Sequence, residues 1–205
     1  MKKFLIIVLL SCAATTFTNA QKVYLWGTAG LNASSFLESI PVDKSSVLGP
    51  QLALSLRAKY PTHWGYDAGI YYSAKGTNYK TTNEKVRIDY AGAYINSLFY
   101  FPLENKNDIY AGAGLYFAGA LDGKVKNDSV TQKIKDIDNW KTYDIGIQIK
   151  AGYSIGNLLS LSIHYDVGFT KIYVVTDSRG KTNKANNSTV SVNAGLNLSK
   201  LLGKK

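Results

Sequence analysis

The chain has 205 residues, 45% of them hydrophobic, with 24 Lys and Arg against 14 Asp and Glu and a formal net charge of +10. Its single cysteine, Cys12, lies in the leader, so the mature chain has neither an internal disulfide nor a thiol-ligated metal centre. Two histidines on separate elements, His63 and His164, are too few for a metal site, and no cofactor is expected.

The first element is a leader. Lys2 and Lys3 form a positive start, residues 4–10 are apolar, and Thr18-Asn19-Ala20 precedes Gln21. This reads as a signal peptide over residues 1–20, cleaved between Ala20 and Gln21. The apolar run falls far short of the ~18 residues a spanning helix needs. A lipoprotein junction at Leu9-Leu10-Ser11-Cys12 competes, and Leu10 suits it poorly. Residues 21–205 hold no linker, low-complexity block or solenoid repeat and are read as one domain.

Eight segments then alternate between an apolar and a polar face, the period of a strand with one greasy side. The first covers residues 22–32, with Val23, Leu25, Ala29 and Leu31 outward and Tyr24, Trp26 and Thr28 inward. The second, 47–60, turns Leu48, Leu52, Leu54 and Leu56 out, and Gln51, Ser55, Arg57 and Lys59 in. Pro50 has no ladder donor and should stand at the strand start or at a bulge. The third, 64–75, places Asp67, Tyr71, Ser73 and Lys75 inward. In the fourth, 86–101, Val86 and Ile88 share a parity that Ile95, Phe99 and Phe101 lack, which predicts a bulge near residues 90–92. The fifth covers 109–121. The sixth, 143–155, alternates strictly, from Tyr143, Ile145 and Ile147 outward to Asp144, Gln148 and Lys150 inward. The seventh is read as 159–173 and the eighth as 189–198.

The connections alternate as well. Pro61-Thr62-His63, residues 102–108 and Gly156-Asn157-Leu158 are short; 33–46, 76–85, 122–141 and 174–188 are long and polar. Short turns at one end and long loops at the other mark an outer-membrane barrel. Outward aromatics fall at two levels. Tyr60, Trp64, Tyr66, Phe99, Phe101 and Tyr153 lie near the short turns; Tyr72, Phe117, Tyr143, Phe169 and Tyr173 lie near the long loops. Rings of this kind collect at lipid interfaces. The expected fold is all-β: an eight-stranded antiparallel up-and-down transmembrane β-barrel, because only a closed sheet lets strands cross a bilayer with every backbone group paired.

Three runs carry a family resemblance: Tyr143-Asp144-Ile145-Gly146, Ala151-Gly152-Tyr153, and residues 161–170, Leu-Ser-Ile-His-Tyr-Asp-Val-Gly-Phe-Thr. Together with Tyr110-Ala111-Gly112-Ala113-Gly114-Leu115-Tyr116 they resemble the Bacteroidetes outer-membrane β-barrel (PorT-like, porin-family) domain. The resemblance implies an eight-stranded barrel in a Gram-negative outer membrane and no enzymatic activity. Tyr90-Ala91-Gly92-Ala93-Tyr94 lacks a proline that relatives carry at that strand. The chain ends Leu201-Leu202-Gly203-Lys204-Lys205, where many outer-membrane barrels end in an aromatic residue.

An eight-stranded barrel is narrow enough for side chains to fill it. Its inward charges have both signs: Arg57, Lys59, Lys75 and Lys150 against Asp67, Asp144 and Asp166, with His164 among them. Buried ions need partners, so a paired, lumen-filling network is expected and no open pore. Ser160, Ser162, His164 and Asp166 share one strand face, the residue types of a nucleophilic relay. No oxyanion-hole signature accompanies them, and they read as polar interior with no catalytic role. The remaining functional surface is the long loops, above all Asp122 to Lys141, which holds a glycosylation-like Asp128-Ser129-Val130 and Trp140. The expected partners are outer-membrane lipid, acidic lipopolysaccharide and a protein or glycan at that loop, with no nucleic acid. The reading is an exported outer-membrane protein with a structural, adhesion or secretion-assembly role. The alternatives are a small outer-membrane hydrolase and a soluble periplasmic ligand-binding barrel.

Overall fold

The computed structural model describes residues 22–127, 130–137, 140–176 and 182–203. The leader, the Ala20–Gln21 junction and Asp128-Ser129 of the glycosylation-like triplet lie outside them.

The strands are β1 (Lys22–Glu38), β2 (Lys44–Lys59), β3 (Trp64–Tyr79), β4 (Glu84–Pro102), β5 (Asp108–Lys126), β6 (Thr131–Lys133), β7 (Tyr143–Ile155), β8 (Leu159–Gly168), β9 (Tyr173–Thr176) and β10 (Thr182–Asn197). A short helix, α1 (Leu198–Leu202), follows. The long strands pair antiparallel in the order β1-β2-β3-β4-β5-β7-β8-β10, and β10 returns to β1 over Trp26↔Asn197 to Glu38↔Ala185. The sheet therefore closes on eight strands and leaves no edge to be satisfied in lipid. Among the described residues β6 pairs with β5 and β9 with β10, and Tyr173 of β9 also bridges Trp140.

The faces divide as the period of two requires. Leu31, Leu48, Ile70, Leu115, Leu161 and Val192 are all more than half exposed on the outer wall. Their inward neighbours Asn32, Val47, Tyr71, Tyr116, Ser162 and Ser191 are buried. At the short-turn end the outer aromatics touch one another: Trp64 and Phe99 edge to face at 5.2 Å, Phe99 and Phe101 at 4.9 Å, Tyr60 and Tyr66 at 6.1 Å. Phe117, Tyr143 and Phe169 stand exposed toward the other end.

Four sequence expectations change. The long connections are largely strand. β1 runs on to Glu38 and β2 begins at Lys44; β3 runs to Tyr79 and β4 begins at Glu84. A bilayer needs only ~9–11 tilted residues per strand, so strands of 16 to 19 residues such as β2 and β5 carry the wall well beyond it. Polar sequence there marks a strand wet on its outer side, and polarity alone cannot separate that from a loop.

β4 has no bulge of its own. Its even positions face inward throughout, from Val86 and Ile88 to Asn96, Leu98 and Tyr100. The parity break in the sequence arises because the upper lumen is apolar. The extra residue sits on β5, where Asp89 faces Asp122, Tyr90 faces Ala120, and Leu121 is left over. A second shift, between Ser46 and Gln51, brackets Pro50, which is exposed and forces the irregularity by its missing donor.

The seventh predicted strand ends early. β8 stops at Gly168, and Tyr173 starts β9 and packs on Trp140 at 4.8 Å, so it belongs to the mouth and not to the outer aromatic belt. The eighth starts earlier than expected, at Thr182, and ends at Asn197, whose side chain accepts the Lys200 N–H and caps α1. Leu198 begins that helix and covers Gly27, and Ser199 Oγ accepts the Leu25 N–H at 2.7 Å.

Candidate functional site

The lumen is a column of side chains in three storeys. At the short-turn end, Leu98, Tyr100 and Tyr110 form a small apolar cluster, with Lys59 bonded to Asp108 at 2.7 Å. Asp108 opens β5, although the sequence pattern places it in the short connection 102–108. The pairing follows from β5 starting one residue before the run of alternation becomes visible.

The middle storey is ionic. Arg57 on β2 and Asp67 on β3 are direct cross-strand partners, and Arg57 Nε lies 3.5 Å from the carboxylate. Lys150 reaches the same carboxylate across the lumen and donates a short hydrogen bond to it. Arg57 also stacks over Trp26 at 4.4 Å and over Tyr110 at 5.3 Å, contacts that suit its flat, weakly hydrated cation. Above, Lys75 sits 3.8 Å from Asp144 and 3.6 Å from Asp166, with the Tyr116 ring 4.6 Å away. Tyr116 and Asn187 donate to Asp144 at 2.9 and 2.8 Å; Gln148 donates to Asp166 at 2.9 Å and accepts from Asn96 at 2.7 Å.

The charge count closes. Two cations share Asp67, two carboxylates share Lys75, and Lys59 matches Asp108. The excess of one cation in the first group opposes the excess of one carboxylate in the second. Isolated ions here would cost several kcal/mol each, so the sequence keeps them equal in number.

Glycines make room for the tyrosines. A side chain on Gly146 would meet the Tyr116 ring at 2.7 Å, and one on Gly152 would overlap the Tyr110 ring. The cross-strand pairs Tyr116↔Gly146 and Tyr110↔Gly152 explain both.

The four residues of the suspected relay come together only in part. Ser162 Oγ lies 3.1 Å from His164 Nε2. Asp166 is engaged by Gln148 and Lys75, and His164 Nδ1 has no hydrogen-bond partner among the described residues. Ser160 is held by Tyr110 at 2.7 Å and Arg57 at 3.4 Å. The orienting carboxylate that a relay needs is spent elsewhere.

The top storey is apolar. Phe36, Val86, Ile88, Tyr90, Ala118 and Ala185 from the wall meet Ile134 and Ile172, which drop in from the β5–β7 and β8–β10 connections. Trp140 and Tyr173 close over them. The sequence carries no signal for this lid beyond four apolar or aromatic residues, Ile134, Trp140, Ile172 and Tyr173, in polar surroundings.

The sequence of residues 19–174 matches the family profile described as outer membrane protein beta-barrel domain. The chain belongs to that family. It is an outer-membrane barrel by sequence as well as by its closed, lipid-facing sheet. Among curated proteins no sequence matches. Among solved structures the barrel is similar to Neisserial surface protein A, with 13% identity over 86% of this chain and 99% of that one and a TM-score of 0.51. The attachment invasion locus protein Ail of Yersinia pestis matches at 11% identity, 86% and 99% coverage and a TM-score of 0.47. OprG of Pseudomonas aeruginosa matches at 10%, 87% and 97%, and 0.46. At these identities the likeness is one of fold. Membership in the family removes the soluble periplasmic alternative.

Proposed function

We propose that this barrel is a closed, non-catalytic outer-membrane protein that works through its long-loop end as an attachment or assembly surface. The observation that carries this reading is the filled lumen. Its middle is a charge-matched network, and an apolar storey closes over it. The Tyr143–Gly146 and Ala151–Tyr153 runs support a place among the PorT-like barrels of Bacteroidetes.

The outer wall above the lipid supports lipopolysaccharide as the surrounding partner. Lys85 faces Lys126, Arg87 faces Lys124, and Lys124 in turn faces Lys133, all exposed on one side of β4, β5 and β6. Like charges directly opposite destabilise a sheet. Asp89 and Asp122, each 3.5 Å from a neighbouring cation, relieve only part of this. A phosphorylated glycolipid would relieve the rest.

The test is reconstitution into planar bilayers with and without lipopolysaccharide. No conductance steps are expected, and lipopolysaccharide should raise the unfolding temperature of the native chain more than that of a variant with Lys85, Lys124 and Lys126 changed to Gln. Steady ion conductance would refute the closed lumen. Equal stabilisation of both chains would remove the basic stripe as the glycolipid contact.

A further inference from the structure

Beyond the hydrophobic lid the mouth of the barrel holds a second feature, a cavity of about 320 Å³. The ends of β1, β3, β4, β5 and β10 converge on it, and β6, β9 and Trp140 complete the wall. Its floor is Val86 and Val125. Three aromatic side chains, Tyr79, Trp140 and Tyr173, stand around it. Two carboxylates, Glu38 on β1 and Glu84 on β4, line it, and none of its thirteen described lining residues is Lys or Arg. That sign is unexpected in a chain of net charge +10.

Glu84 is the carboxylate that the fold leaves open. Glu38 is 1% exposed at its side chain and is held in place: Lys44 pairs with it at 3.5 Å, Asn183 donates to Oε2 at 2.8 Å, and the Tyr79 hydroxyl bonds to it. Lys44 itself donates to the Phe36 carbonyl. Glu84 forms no ion pair among the described residues. The nearby rim cation, Lys80, is engaged by Asp43 at 3.3 Å. Burial, with Glu84 and Glu38 close by, raises the Tyr173 phenol above its ordinary value, so the field of both carboxylates reaches the aromatic wall.

We infer that the cavity walled by Trp140, Tyr173, Tyr79, Glu38 and Glu84 is a binding site for a small organic cation, an ammonium or guanidinium carried on an apolar stem. Aromatic faces attract a cation through their quadrupole, most strongly when it is partly desolvated. Glu84 supplies the opposing charge, and Val86 and Val125 accept the stem. An anion would meet the like charge of Glu84 there, and a neutral apolar ligand would leave that carboxylate desolvated without return.

The test uses the full mature chain in detergent micelles and two probes of the same shape, choline and its neutral isostere 3,3-dimethylbutan-1-ol. Calorimetry and Trp fluorescence should give saturable choline binding, at least about fivefold tighter than the isostere given the usual worth of a cation over aromatic faces. Choline affinity should fall with added salt and fall severalfold in Glu84→Gln, a partly exposed position whose change removes charge without volume. Equal binding of the two probes, or no saturable choline binding to the native chain, would overturn the inference. The probe comparison needs no substitution, so a misfolded variant cannot obscure it.

Discussion

Asp67 shows what a single charge does in a narrow lumen. It is fully buried, with Arg57 at 3.5 Å and Lys150 bonded to the same carboxylate. Asp67→Asn keeps the shape and leaves two buried cations facing each other without a counter-charge. Breaking such an arrangement typically costs about 3–5 kcal/mol. The comparison is Asp108→Asn, whose partner Lys59 is 32% exposed at its side chain and can turn to solvent. That change should cost no more than about 1 kcal/mol. Urea titrations of both variants refolded into phospholipid vesicles measure the difference. Equal losses would mean that the lumen is wet enough to screen its ions, and the charge balance would then have no structural weight.

Elements differ in how far the sequence exposes them. β7 and β8 were legible to the residue at both ends or at one, because their outer neighbours are lipid and their inner neighbours polar, and that contrast is the periodic signal itself. β4 misled because the contrast reverses along it: Val86 and Ile88 are apolar and inward, Arg87 and Lys85 polar and outward. Above the bilayer the solvent swaps sides, so the same strand reads as two registers. The lid depends on Ile134 and Ile172, single apolar side chains whose partners lie far away in sequence, and periodicity cannot find these. Its residues come from the connections and not from the barrel strands, which leads to a prediction. Ile134→Ala removes a side chain that is 3% exposed and should cost the lid about 2–5 kcal/mol locally. Protease cleavage between residues 127 and 142 should become faster, while the folded barrel keeps its altered mobility on unboiled gels. Loss of that gel shift would show that lid and wall unfold as one unit.

At the scale of the whole molecule the barrel is asymmetric along its axis, and the asymmetry fixes how it must sit. One end has three tight connections and the chain's closing helix. The other rises on long strands, with Lys85, Lys124, Lys126 and Lys133 on its outer side and the acidic aromatic cavity within. Outer-membrane barrels keep short turns in the periplasm and extended loops outside. Two exposed threonines report on this, Thr62 in the turn after β2 and Thr82 in the turn before β4. The only cysteine of the chain is Cys12, so a cysteine introduced at either place is the sole thiol of residues 22–203. On intact cells an impermeant maleimide should label Thr82→Cys and leave Thr62→Cys untouched, while permeabilised cells should label both. The reverse pattern would put the basic stripe and the cavity in the periplasm. The stripe would then face no lipopolysaccharide, and an organic cation would reach the cavity only from inside the envelope.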